Sequence, residues 1–305
     1  KAVEQITSSG DYGVESGQTV YYITERALFK LVPGGMELLE IAPGVDLKKD
    51  ILDKMEFTPI MNDVTIMDEK ILKLKEWVDG SDNIVFFGGA GVSTESNIPD
   101  FRSVDGLYNQ KYDFPPETIL SHSFYMRHTE EFYRFYRDKM ICPDVKPNVT
   151  HLKLAELEAA GKLKAVITQN IDGLHQMAGS KRVLELHGST HRNYCRKCGK
   201  GFDAAYIQNS AGVPTCDDCG GQIKPDVVLY EEGLDQQTLD DAVFYISHAD
   251  MLIIGGTSLA VYPAAGLIRY YRGKKLVLIN RDATPYDRHA DLVFHESLGK
   301  IFEQL

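Results

Sequence analysis

The chain has 305 residues, 43% of them hydrophobic and 25% charged, and a formal net charge of −11. This is the composition of a folded protein of one large or two ordinary domains, and it excludes a disordered chain. The acidic balance argues against a general polyanion binder, no apolar run approaches the roughly 20 residues of a membrane helix, and five cysteines are too few for a disulfide scaffold.

The opening KAVEQITSSG has neither the apolar core of a signal peptide nor a starting methionine, so a fragment or a processed form is expected. Within residues 1–66, VYYIT, RALFKLV and MELLEIA alternate as short strands, and PGG between the last two signals a hairpin. Asp46 is placed to cap a helix over LKKDILDKM. Three short strands and one helix bury too little surface to be stable alone.

From Met67 the texture changes. DEKILKLKEWVDG spaces Ile71, Leu74 and Val78 along one helical face and stops at Gly80. NIVFF is then a short continuous apolar run ending in the small-residue turn GGAGVS, and the same texture returns in KAVITQNID, ADMLIIGGTSL and KKLVLINRD. Such runs, separated by helical patterns, predict an α/β fold: a Rossmann-like parallel sheet with helices on both faces. Two long insertions interrupt it. One, about residues 104–150, contains the helical, aromatic-rich SHSFYMRHTEEFYRFYRDKM; the other, about 190–226, contains four cysteines. Together they are expected to form one smaller helical and cysteine-bearing module beside the sheet.

Cys195 and Cys198 in CRKC, with Cys216 and Cys219 in CDDC, give C-x2-C-x17-C-x2-C. Each pair lets two thiolates reach one ion from a tight turn, and four soft sulfurs close a tetrahedron around zinc. With no open position the ion would hold the module together and do no chemistry. Cys142 stands alone and reads as a small buried hydrophobe.

Four polar strand ends are expected to face one crevice. GGAGVSTES offers backbone N–H groups to an anion at a helix start, a dinucleotide signal that is weak alone because Thr94 replaces the third glycine of the usual fingerprint. TQNIDGLH, at residues 168–175, packs Gln169, Asn170, Asp172 and His175 behind a buried run, and polar groups taken out of water must be paired by the fold or by a ligand. GGTSL at 255–259 and LIN at 278–280 close two further strands, at the end of the sheet where ligands bind in open α/β folds. IPDFRS places the aromatic Phe101 beside the cation Arg102, and His187 ends the run VLELHGS between the polar cluster and the cysteines.

In this order, GAGVSTESNIPDFRS, TQNIDGLH, ELHGS, the two CxxC pairs, PDVVLYEE, GTSL and LIN resemble the sirtuins, NAD-dependent protein-lysine deacylases, over roughly residues 67–305. The resemblance implies that NAD and an acetylated lysine peptide meet between the sheet domain and the zinc module. It assigns NAD contacts to Ala90, Thr94, Phe101 and Arg102, to Gln169, Asn170, Ile171 and Asp172 around nicotinamide and its ribose, and to Thr257, Ser258 and Asn280 along the adenosine half. His187 matches the catalytic base, with Asn170 and Asp172 beside it. The implied chemistry is attack of the acyl-lysine oxygen on the ribose carbon that bears nicotinamide, after which the histidine deprotonates a ribose hydroxyl; a histidine near its ordinary pKa of about 6.5 suits that task. The family's acid-acyl members carry a Tyr-x-x-Arg pair. Here EFYRFYR has Tyr133 followed three positions on by Tyr136, with arginines at 134 and 137, and Thr94 is larger than the alanine those enzymes often have, so acetyl is expected over succinyl. PDVVLYEE resembles the segment that pairs with the substrate backbone. Its Glu231 and Glu232 either favour basic residues near the target lysine or form a solvated acidic turn.

Residues 1–66 resemble the carboxyl-terminal tail of acetyl-CoA/acetoacetate-type CoA-transferases, and Met67 resembles the start of an ordinary sirtuin, as in a gene fusion or a read-through junction. Mono-ADP-ribosyl transfer and removal of longer acyl chains are the alternatives within the same chemistry. A nucleic-acid-binding zinc ribbon is disfavoured by the acidic CDDC, so no direct nucleic-acid binding and no membrane partner are expected. The missing targeting signal and reduced cysteines imply a cytoplasmic location.

Overall fold

The computed structural model describes residues 10–100 and 113–305. The chain falls into two compact units, Lys1–Glu76 and Trp77–Leu305.

In the first unit β1 (Tyr21–Ile23), β2 (Ala27–Val32) and β3 (Gly35–Ile41) follow one another antiparallel, and β4 (Thr65–Ile66) joins β3 in parallel. The PGG hairpin forms where expected, with Val32 paired to Gly35. Asp46 caps as expected, accepting the Lys49 N–H at 2.8 Å, but the helix over LKKDILDKM does not continue. It is one wide turn, Leu47–Ile51, followed by a tighter turn, Leu52–Lys54. Ile51 leaves helical geometry (φ −121°, ψ −69°) and is buried with Ala27, Phe29 and Leu38. In so small a core, seating one more apolar side chain outweighs continuing an exposed helix.

The helix Glu69–Asp79 runs across the boundary between the units, and its Ile71, Leu74 and Val78 are all buried, as their spacing predicts. The strands of the second unit in chain order are β5 (Ile84–Gly88), β6 (Leu163–Thr168), β7 (Val183–Glu185), β8 (Gly188–Cys195), β9 (Gly201–Phe202), β10 (Ile223–Val227), β11 (Met251–Gly255), β12 (Leu276–Ile279) and β13 (Leu292–Phe294). Six form a parallel sheet in the order β13-β12-β11-β5-β6-β7. β5 and β11 are buried at every position because helical segments cover both faces. Val85, Phe87, Leu252 and Ile254 pack with Ala242 and Ile246 of the helix Gln236–His248 and with Ala264–Ile268. On the other face Phe86 meets Phe302 edge-on, ring centres 6.0 Å apart. The chain builds outward from β5 through β6 to β7, then returns to lay β11, β12 and β13 on the other side. That reversal, between β5 and β11, leaves a crevice at the carboxyl ends of the strands.

The smaller module is the antiparallel sheet β10-β8-β9 with the helices His122–Arg127 and Thr129–Lys139. Phe124, Phe132, Tyr133, Phe135 and Tyr136 from the first insertion share a buried cluster with Ile207, Ile223 and Val227 from the second. The two insertions therefore complete each other's core.

Candidate active site

The crevice floor is made where two strand ends touch backbone to backbone. Gly89 N–H donates to the Gly255 carbonyl (3.1 Å) and Gly91 N–H to the Gly256 carbonyl (2.8 Å). A Cβ on Gly91 would lie 2.7 Å from the Gly256 Cα, so only glycine permits this approach. Beyond it the chain makes two tight turns, Ala90–Val92 and Thr94–Ser96, and not the helix start expected from the glycine-rich signal. The reason is local: the Thr94 hydroxyl donates to the Gly91 carbonyl (3.0 Å), and Asn97 turns the chain left-handed at φ 64°.

TQNIDGLH meets this floor with its side chains. Gln169 Nε2 donates to Thr257 Oγ1 (3.2 Å), tying β6 to the GGTSL turn. Asn170 Nδ2 donates to Ser93 Oγ (3.0 Å), which donates in turn to Asp172 Oδ2 (2.6 Å); Asp172 Oδ1 accepts the Leu174 N–H (3.0 Å). Ser93, only 1% exposed, is the hub of this group, a role that no single motif of the sequence marks. A small hydroxyl at the centre of GAGVSTES was its only signal. His175 does not face the crevice. Its ring turns inward, 4.7 Å from the buried His151 ring and 6.2 Å from Phe86.

The loop backbone is gripped by the segment that follows β7. His187 Nδ1 lies 2.9 Å from the Gln169 carbonyl oxygen, which can only accept, so Nδ1 carries the hydrogen and a neutral ring keeps its lone pair on Nε2. Burial holds the His187 pKa below its ordinary value, partly offset by that carbonyl bond. The Thr190 N–H (2.9 Å) and hydroxyl (3.1 Å) both reach the Ile171 carbonyl, and His191 Nε2 lies 2.9 Å from that of Asp172.

Ala90, Thr94, Gln169, Asn170, Ile171, Asp172, His187, Thr257, Ser258 and Asn280 all line one cavity of about 890 Å³. Phe101 and Arg102 lie outside the described residues. The cavity is of the size and mixed polarity that suits a dinucleotide beside a peptide side chain.

The four cysteine sulfurs lie within 4.8 Å of one another, with Cys195–Cys219 at 3.4 Å and Cys198–Cys216 at 3.7 Å. Sulfurs about 2.3 Å from a tetrahedral zinc stand about 3.8 Å apart, so the set fits that ion. The Gly199 and Gly220 N–H groups close each turn onto the Cys195 and Cys216 carbonyls, both at 2.9 Å.

Glu231 is exposed in a turn and Glu232 is half-buried, and both carboxylates are already engaged by the protein. Glu231 accepts the Ser123 N–H (2.8 Å) and hydroxyl, and Glu232 takes the Leu229 N–H (2.9 Å), Lys224 Nζ (3.1 Å) and His122 Nδ1 (2.8 Å). They staple PDVVLYEE to the aromatic helices. Tyr133 is fully buried and donates to the Ile223 carbonyl, while Arg137 is spent on Ile207, Ser210 and Gly212; neither lines the cavity.

Residues 89–263 match the Sir2 family. The chain belongs to that family. It is 63% identical over 238 residues to an NAD-dependent protein deacetylase of Clostridium acetobutylicum, covering 77% of this chain and 97% of the relative. Among solved structures, a Sir2 complex with p53 peptide and NAD+ is 40% identical with a TM-score of 0.69, covering 78% of this chain and 97% of that one. A Sir2 complex with deacetylated p53 peptide and 3′-O-acetyl ADP-ribose is likewise 40% identical, with a TM-score of 0.70 over 77% of this chain and 96% of that one. The Sir2 match takes in the Gly89–Gly91 floor, the polar loop, His187, the cysteine turns and the Thr257 turn, and ends before Asn280.

Proposed function

We propose that the chain is an NAD-dependent protein-lysine deacetylase, moving the acetyl group of acetyl-lysine onto ADP-ribose and releasing nicotinamide. The observation that carries this reading is the setting of His187. A histidine whose Nδ1–H is satisfied by a carbonyl, and whose Nε2 keeps its lone pair in a cavity shared with Asn170 and Asp172, is built to take a proton. NAD, when bound, supplies the ribose carbon that exchanges nicotinamide for the acyl oxygen. The chain's own residues do the rest. Asn170 and Asp172, fixed through Ser93, bind the nicotinamide end, with Ile171 against it. Gln169 and Thr257 hold the middle of the crevice, Ser258 and Asn280 the adenosine end, and Ala90, Thr94, Phe101 and Arg102 the first loop. His187 accepts the ribose hydroxyl proton at Nε2. Zinc on Cys195, Cys198, Cys216 and Cys219 holds the module that supplies the peptide side.

The deacetylase domain on this reading begins at Met67, and residues 1–66, which resemble a CoA-transferase tail, add nothing to the reaction. Among the described residues no helix is long and apolar enough to cross a membrane, and four thiols held for a metal suit a reducing cytoplasm. The test is incubation with an acetyl-lysine peptide, with and without NAD, following peptide mass and nicotinamide, alongside His187→Ala and a succinyl-lysine peptide. The expected result is NAD-dependent loss of acetyl with stoichiometric nicotinamide, lowered about 10²- to 10⁴-fold in the variant, and weak turnover of the succinyl peptide. Nicotinamide release without deacetylation would replace this reading with ADP-ribosyl transfer. Equal use of both peptides would refute the acyl preference.

A further inference from the structure

The reaction assigned to His187 leaves two neighbouring contacts unexplained. The segment from His187 to His191 meets the polar loop in order: His187 on the carbonyl of Gln169, Thr190 on that of Ile171, His191 on that of Asp172. The last needs a donor on the imidazole, since a carbonyl oxygen only accepts. The Cδ2–Nε2 edge of its ring also crowds Gly173, where a Cβ would stand 2.7 Å from the His191 Cδ2. Gly173 takes φ +71°, a left-handed turn that starts the helix Leu174–Ala178. The Asp172 peptide is thus fixed at its carbonyl by His191 and at its carboxylate by Ser93 and the Leu174 N–H. His191 is itself exposed and lies among the residues that line the cavity.

We propose that His191 is a positioning residue for the bound dinucleotide: its Nε2–H holds the Asp172 carbonyl and so aims the Asn170 and Asp172 side chains into the cavity. It acts through Asp172 and touches no reacting atom. The inference rests on the deacetylase reading for what the loop binds. It predicts that a donor, and not an aromatic ring, is what position 191 requires. A glutamine places its Nε2 donor as many bonds from Cα as the histidine Nε2, whereas alanine offers none.

The experiment uses the full zinc-loaded chain and compares His191→Ala and His191→Gln with the unaltered protein. NAD binding is measured by calorimetry with NAD alone, and the kcat and the KM values for NAD and acetyl-lysine peptide are measured separately. The expected result for His191→Ala is NAD binding weakened, and KM for NAD raised, by about fivefold, in line with the loss of one hydrogen bond. The peptide KM, zinc content and melting temperature should stay within experimental scatter, and His191→Gln should recover most of the NAD affinity. NAD affinity unchanged in His191→Ala, or His191→Gln no better than alanine, would overturn the proposal. If the unaltered chain binds NAD but removes no acetyl group, the deacetylase reading fails, and the calorimetry still decides the role of His191. A chain that binds no NAD at all would overturn both.

Discussion

The sheet and the cysteine module of the second unit are held by different means. β5 and β11 are apolar at every position and lie between helical layers, so burial alone accounts for them. The module is a three-stranded sheet whose edge strand β9 is two residues long, with an aromatic cluster assembled from two distant insertions. Four thiols close it. The lesson is that the two regions should fail under different insults, and that each can be followed by its own reporter. Trp77, the one tryptophan of the sequence, precedes the sheet, whereas Tyr125, Tyr133 and Tyr136 are fully buried in the module.

The largest effect is expected from the metal. Zinc in comparable sites contributes about 10 kcal/mol or more, which is more than a cluster of this size can replace. Stripping the zinc-loaded protein with a strong chelator should abolish the tyrosine near-ultraviolet circular dichroism and all deacetylation while the Trp77 emission stays where it was. Loss of both signals together would mean that the sheet cannot stand without the module.

Acid should break the other side. His151 and His175 are buried at 0% and 1% exposure beneath the sheet, and among the described residues no group pairs with either His175 ring nitrogen or with His151 Nε2. Burial lowers both pKa values, to about 4 for His151, where the Asp172 charge partly offsets it, and to about 3 for His175, where the neighbouring His151 ring adds to it. The sign follows. The unfolded chain takes up protons near pH 6.5 and the folded chain only well below that, so stability falls as pH drops from about 6.5. The loss is about 2 kcal/mol per histidine by pH 5. His187, also lowered by burial, acts in the same direction. Melting followed through Trp77 should shift down markedly between pH 7 and pH 5, before most carboxylates titrate. A melting temperature that stays flat over that window would mean that these rings are charged in the folded protein.

Much of this was legible in the residues. The four apolar runs forecast the sheet because parallel strands are buried on both faces, and the two CxxC spacings forecast the metal set because tetrahedral geometry needs little beyond two turns. What stayed hidden depended on distant contacts. Ser93 is one hydroxyl in a glycine-rich loop until folding brings Asn170 and Asp172 to it. His175 sits in a polar motif yet points away from it, since a helix begun at Gly173 carries it round to the sheet. Ile51 ends its helix for a core that local propensity cannot foresee, and Glu231 and Glu232 look available until Ser123, His122 and Lys224 arrive from other elements.

The smallest of these effects sharpens the comparison most, because the polar loop is held from both regions at once. The module side grips its backbone, through His187, Thr190 and His191; the sheet side grips its side chains, through Ser93 and Thr257. Ser93→Ala cuts only the second grip. It removes one hydrogen bond to a carboxylate and one to an amide, together worth about 2 kcal/mol, and leaves the backbone anchors in place. The expected outcome is a fall of about tenfold or more in kcat/KM for NAD, with the peptide KM and zinc content unchanged and a modest drop in melting temperature. Should kcat/KM stay at the unaltered value, the backbone anchors alone would set the loop, and the sheet would serve only as the platform on which the module holds the active site in shape.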